Sequence, residues 1–102
     1  MNDPTIDLIC LALDASSMRQ TAIAQNIANA NTLNYQATEV NFEQQLSGFN
    51  FDEVKPFFQQ STKTYSIDEQ IAFSIKNATQ YRALIKGLNH QFALMRLALA
   101  GN

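Results

Sequence analysis

Ser66 and Glu69 stand three residues apart at the head of a stretch that runs to the end of the sequence without a proline. In a Ser-x-x-Glu capping box the hydroxyl accepts the N–H three residues on, and the carboxylate accepts the N–H of the serine. Two of the orphan groups that open a helix are thereby satisfied. Counting onward in steps of four and three gives Ile67, Ile71, Ser74, Ala78, Tyr81, Ile85, Leu88, Phe92, Met95 and Leu99, apolar at every position except Ser74. This is a heptad seam. The predicted helix covers 66–100 and, at about 1.5 Å per residue, is roughly 50 Å long. A helix of that length needs a partner along its seam. Gly87 lies inside it, where glycine costs about 1 kcal/mol and permits a bend or the close approach of another backbone.

A partner is available in the same chain. Asp3 before Pro4 places an N-cap acceptor ahead of a residue whose fixed φ and missing N–H suit the first helical position. From there Ile6, Ile9, Leu13, Ile23, Ile27 and Ala30 recur at helical spacing, with Ser16 and Gln20 as polar interruptions of the stripe. The spacing predicts a helix over 3–29. At 102 residues the chain has room for one domain, and its two terminal helices are able to pair as an antiparallel hairpin or coiled coil.

The connector over 30–65 has a weaker pattern. Asn41 and Gln44 are placed to cap a short helical turn carrying Phe42 and Leu46, with Gly48 able to end it in the left-handed conformation. Phe49, Phe51, Val54, Phe57 and Phe58 are too apolar for a free linker, while Pro56 and the polar run 59–64 break any long regular element. The expected fold is mainly α: two long amphipathic terminal helices joined by an irregular connector pinned down by phenylalanines.

Composition narrows the function. A net charge of −2 gives no basic surface for phosphate backbones or anionic lipid. With 46% hydrophobic and 16% charged residues the chain is not of the disordered class. Cys10 is the single cysteine, so an internal disulfide is ruled out and a small buried apolar role is expected. His90 is the single histidine and reads as a flank of the seam. One Cys and one His do not make a metal site. Asp52 with Glu53, and Asp68 with Glu69, read as a solvated surface and a helix N-terminus. No catalytic constellation emerges, so the chain is expected to be no enzyme and to need no cofactor, metal or small-molecule substrate. Asp3, Asp7 and Asp14 interrupt the start of the chain where a signal peptide has a basic and then an apolar region. No stretch reaches the roughly 20 apolar residues of a membrane span. The expectation is a protein without membrane insertion, either soluble or handled by an export route that reads no cleaved signal.

The most informative stretch is Asn26-Ile27-Ala28-Asn29-Ala30-Asn31-Thr32-Leu33-Asn34-Tyr35. Ala28 and Ala30 allow another helix to come close, Asn26 and Asn29 share a helical face, and Tyr35 is an amphipathic anchor after the turn. On periodicity alone these residues also suit the end of a helix in an ordinary hairpin. The stretch resembles the signature of flagellar axial proteins, Asn-Ile-Ala-Asn-Ala-(Asp/Asn)-Thr-Pro-Gly-Tyr. With Asn41-Phe42 where Asp-Phe is usual, Asn77 and Tyr81, and the 92–97 region, the chain is similar to basal-body rod proteins of the FlgB type. Leu33-Asn34 replaces the usual Pro-Gly, and asparagine tolerates the left-handed conformation such a turn requires. The middle segment is shorter than usual. The resemblance implies a self-assembling structural subunit of the proximal rod, packed beside other rod and basal-body subunits in the shaft that transmits torque and exported by the flagellar type III route to the periplasmic basal body. It implies assembly roles for the ten-residue motif, Phe42, Asn77, Tyr81, Ile85, Leu88 and Phe92. A helical coiled-coil adaptor, or a component of a related type III secretion apparatus, is the alternative.

Overall fold

The computed structural model describes residues 3–48 and 53–101. Helix α1 spans Pro4–Ala28 and helix α3 spans Ile67–Ala100. Between them lie strand β1 (Thr38–Asn41), the single helical turn α2 (Glu43–Leu46) and strand β2 (Phe57–Gln60). Both long helices start where their capping residues dictate. The Asp3 carboxylate accepts from the N–H groups of Thr5 (2.8 Å) and Ile6 (3.3 Å), with Pro4 at the first helical position. Ser66 Oγ accepts from Glu69 N–H (3.1 Å) and Glu69 Oε1 from Ser66 N–H (3.0 Å). α1 closes one residue earlier than the spacing suggests, with Asn29 as its C-cap.

The long helices run antiparallel. Ser16 meets Asn77, Gln20 meets Ser74, and Gly87 lies beside Ile9. Buried Asn77 sets the register. Its Oδ1 accepts from Ser16 Oγ (3.0 Å) and an Arg19 guanidinium nitrogen (3.3 Å), and its Nδ2 donates to Ser16 C=O (2.8 Å) and Gln20 Oε1 (3.1 Å). Both amide protons and both oxygen lone pairs are in use. Gln20 Nε2 also donates to Ser74 Oγ (2.7 Å). The polar interruptions of the two stripes therefore meet each other.

The face of α3 turned toward α1 is rotated from the heptad seam. Gln70 and Asn77 are its buried residues, while Ser74, Ala78, Leu88 and Met95 are only partly covered. Ile67, Ile71, Tyr81, Ile85 and Phe92 stay on an exposed flank. A seam shared evenly between two helices would bury all ten positions; here α3 meets α1 along one margin because Asn77, off the seam, holds the polar junction. Gly87 is not a point of closest approach: a Cβ built there meets Ile9 Cδ1 at 3.9 Å, an ordinary contact. Cys10 is exposed, not buried.

The other side of α1 carries the connector. Val40, Phe42 and Val54 are buried with Ala15 in one cluster, and Leu11, Ala12, Met18 and Leu46 pack around it. The connector is more regular than its sequence suggests. β1 and β2 pair antiparallel, with Thr38 opposite Gln60, Glu39 opposite Gln59, Val40 opposite Phe58 and Asn41 opposite Phe57. Gln59 and Gln60 read as breakers, yet Gln59 bridges the ladder: its Nε2 donates to Glu39 Oε2 (2.6 Å) and its Oε1 accepts from Asn41 Nδ2 (3.2 Å). Asn41 thus does not cap α2; the position before that turn is Phe42, whose N–H donates to Gln44 Oε1 (3.3 Å). Gly48 does not take the left-handed conformation, since no described glycine has a positive φ. Of the expected apolar anchors, Val54 is buried at 5% exposure, whereas Phe57 and Phe58 are 48% and 46% exposed; Phe42, expected on the helical turn, is buried instead. Phe49, Phe51 and Asp52 lie outside the described residues.

Two substitutions separate these contributions. Asn77→Ala leaves Ser16 Oγ, Gln20 and Arg19 without their buried partner and should lower stability by about 2 to 3 kcal/mol in urea unfolding. Gly87→Ala removes a helix-interior glycine without a clash and should raise stability by about 0.5 to 1 kcal/mol in the same measurement.

Candidate assembly site

The residues singled out in the sequence fall into three places. The first is the turn that ends α1. Asn29 Nδ2 donates back to Gln25 C=O (2.9 Å), and its Oδ1 accepts from Thr32 Oγ1 (3.1 Å). Thr32 N–H donates to Asn29 C=O (2.9 Å) and Tyr35 N–H to Thr32 C=O (3.2 Å), so two successive tight turns reverse the chain. The second needs a left-handed residue, and Asn34 supplies it at φ 63°. Asn34 thus takes a conformation that glycine adopts most readily and that asparagine tolerates better than most other residues.

Asn26 is the pivot of this turn. From the last turns of α1 its Nδ2 donates to Thr38 C=O (2.9 Å), and its Oδ1 accepts from Thr38 N–H (2.8 Å) and from Tyr35 Oη–H (3.1 Å). The reason for this geometry lies in β1. Ser61 N–H donates to Ala37 C=O (2.8 Å), so in the alternation of an antiparallel ladder Thr38 turns its N–H and C=O away from β2. The primary amide of Asn26 is the side-chain equivalent of a peptide group, and it fills that edge as a third strand would. Ile27 is half-buried, while Ala28, Ala30, Asn31 and Leu33 are exposed. The close helix approach expected at Ala28 and Ala30 is not made within the chain; both remain open to a neighbour.

The second place is the junction of Asn77 with Ser16, Arg19 and Gln20. It stands over an open groove of about 580 Å³ between α1, β1 and α3, with Lys76, Gln80, Glu39 and Glu43 among its walls. One guanidinium nitrogen of Arg19 also donates to both carboxylate oxygens of Glu43 (2.8 and 2.9 Å). Glu43 is 60% exposed, so this ion pair orients Arg19 more than it stabilises the fold. The third place is the outer flank of α3, where Tyr81, Ile85 and Phe92 are 41%, 36% and 42% exposed while Leu88 is half-buried against the hairpin. Phe42 belongs to none of these, being core.

Sequence reasoning missed Ser16, Arg19, Gln20, Glu43 and Thr38 as partners. The signal for Ser16 and Gln20 was present, because polar residues four apart in an apolar stripe need polar company across the interface. Glu43 and Thr38 carry no such signal, since their partners are set by the path of the connector. Among the described residues no group of three His, Cys, Asp or Glu side chains could hold a metal ion, and no helix is long and apolar enough to cross a membrane.

Replacing Asn26 with Ala opens the edge of β1 and unpairs Thr38, and should lower stability by about 2 to 3 kcal/mol; Tyr35→Phe, which removes one peripheral bond, should lower it by about 0.5 to 1.5 kcal/mol. Asn34→Val forces a β-branched residue to positive φ and should lower it by about 1 to 3 kcal/mol, whereas Asn34→Gly should stay within about 0.5 kcal/mol of the parent, all read by urea unfolding.

No known protein-family model matches this chain, and no curated protein sequence is similar to it.

Proposed function

We propose that this chain is a non-enzymatic structural subunit of the bacterial flagellar basal-body rod, packing through its terminal helices against further copies and related rod subunits. The observation that carries this reading is the apolar surface that α3 leaves unused. Ile67, Ile71, Ile75, Tyr81, Ile85 and Phe92 are 36–65% exposed on α3. Past Phe92, Leu94, Leu97 and Leu99 are 45%, 69% and 72% exposed, Leu99 on the same flank and Leu94 and Leu97 on other sides of the helix. With Ile9 beside Gly87, the start of α1 falls near the level of Phe92, and about two turns of α3 project past it. Exposed apolar surface of this extent on a small chain marks contact with other protein. The molecule, 62 × 27 × 16 Å, is a narrow rod in shape and suits side-by-side packing.

The ten-residue motif supports the same reading. Its Asn26, Asn29, Thr32, Asn34 and Tyr35 build a rigid end to α1, and Ala28 and Ala30 are left outward beside it. A subunit that docks end regions on its neighbours needs such a fixed end. In this role the chain reaches the periplasmic basal body by the flagellar type III route, uses no cofactor and binds no nucleic acid.

Leu97→Asp is the test. Leu97 lies on the projecting end of α3 and is 69% exposed, so charging it should change unfolding stability by no more than about 0.5 kcal/mol. Ala83→Asp is the control on an exposed site of α3 outside the groove. Cells carrying Leu97→Asp should make the subunit at normal levels yet lack filaments and fail to swim, while Ala83→Asp cells swim. Normal motility with Leu97→Asp would remove the projecting helix as an assembly surface.

A further inference from the structure

The two edges of the small sheet are finished differently. On β1 the outward N–H and C=O of Thr38 are both taken by Asn26, and Val40, the other residue that turns these groups outward, is buried in the core at 6% exposure. On β2 the groups that turn outward belong to Phe58 and Gln60, because these residues sit opposite Val40 and Thr38 at the positions that do not exchange bonds with β1. No other described backbone or side-chain group meets those N–H and C=O groups, so among the described residues the β2 edge is open. Phe57 and Phe58 point to opposite faces of the sheet and are both about half exposed. Edge strands are usually blunted by a charge or a proline within the strand; here Lys55 and Pro56 stand before it and Lys63 after it.

We propose that β2 pairs antiparallel with β2 of a second copy of this chain, joining two ribbons into a four-stranded sheet. The occupant follows from the strand itself. Centring the pair on Gln59 places Phe58 opposite Gln60 of the second copy, and the reverse. All four outward groups of each strand then form bonds across the twofold axis. A register centred on Phe58 brings Pro56, which has no N–H, opposite Gln60 and loses bonds. A register centred on Gln60 pairs Phe58 with Thr62, beyond the end of the strand. Only the Gln59-centred pairing satisfies both outward residues, and it sets Phe58 diagonally beside Phe58 of the second copy on one face. Lys55 falls near Lys63 of the second copy at each frayed end, so salt strengthens the pairing by screening. Two four-residue strands bury less than the roughly 1,000 Å² of a stable interface, so the pairing is weak in dilute solution and effective where copies are held together. It uses a surface separate from the exposed flank of α3, so either can fail without the other.

The Gln59-centred register brings the two Gln59 Cα atoms to about 4.5 Å, within disulfide range, while the two Phe57 Cα atoms lie about 14 Å apart. Full-length Gln59→Cys and Phe57→Cys chains, each with the exposed Cys10 changed to Ser, are oxidised at several protein and salt concentrations. The expected result is a disulfide-linked dimer forming at least about tenfold faster at 59 than at 57, faster in higher salt, and slowed about tenfold by adding Gln60→Pro, which deletes an outward N–H. Equal rates at the two positions, or a rate at 59 indifferent to Gln60→Pro in a chain of unchanged helical content, would overturn the pairing. If Gln60→Pro unfolds the chain, amide exchange of the parent decides: the Phe58 and Gln60 amides become protected with rising concentration, and unchanged exchange overturns it. Leu97→Asp should leave cross-linking at 59 intact.

Discussion

The amide of Asn77 is the contact on which the helix pair depends. An apolar seam of isoleucines and leucines is nearly indifferent to sliding by a turn, because one aliphatic contact replaces another at little change in energy. A buried primary amide is not indifferent. Its two protons and two lone pairs are all matched by Ser16, Arg19 and Gln20, and a slip of one turn would leave several of these groups buried and unpaired, at about 1 to 3 kcal/mol each. The register of α1 against α3 is therefore specified by polar chemistry placed within an apolar surface, the use for which buried polar residues in helix pairs are best attested.

Once α1 is fixed in rotation by Asn77, its remaining surface is committed. Ser16 faces α3, which turns Ala15, Leu11 and Met18 toward the connector and Asn26 toward β1. The two asparagines thus do related work on neighbouring faces of one helix: Asn77 reaches in from α3 to set the pair, and Asn26 reaches out from α1 to hold the sheet. Arg19 links the two layers, donating to Asn77 on one side and Glu43 on the other. A connector of four-residue strands and a single helical turn would have little stability alone; it is ordered by the Asn26 amide and by Val40, Phe42 and Val54 against α1.

The helices were legible because their signals are local. A capping box, an Asp-Pro start and helical periodicity are each complete within a few residues, and both N-caps are where those residues stand. Asn34 at positive φ was legible for the same reason. The sheet was not, because the pairing of Thr38–Asn41 with Phe57–Gln60 joins segments far apart in sequence, and four residues are too few for an alternating pattern to stand out. The rotated face of α3 was hidden differently. Period counting ranks Ile67, Ile71 and Phe92 as interior by their chemistry, whereas the contact is chosen by Gln70 and Asn77, polar residues that a hydrophobic count passes over. The motif was legible as a unit, but the clamp of Asn26 on Thr38 was not, since the partner's only relevant groups are backbone.

That mismatch between chemistry and burial bears on what the chain is for. A monomer selected for its own stability would turn Ile67, Ile71, Tyr81, Ile85 and Phe92 inward and would stop α3 level with the start of α1. Here the hairpin is closed by polar groups along one margin, and most of the large apolar side chains of α3 are left outside it. Each such side chain is already more than half covered, so shielding the remainder contributes on the order of 0.5 to 1.5 kcal/mol, and together they hold a stabilisation comparable with that of the polar junction that closes the hairpin. Folding of the single chain therefore leaves apolar area on α3 uncovered, and it is this area that the proposed assembly role would bury.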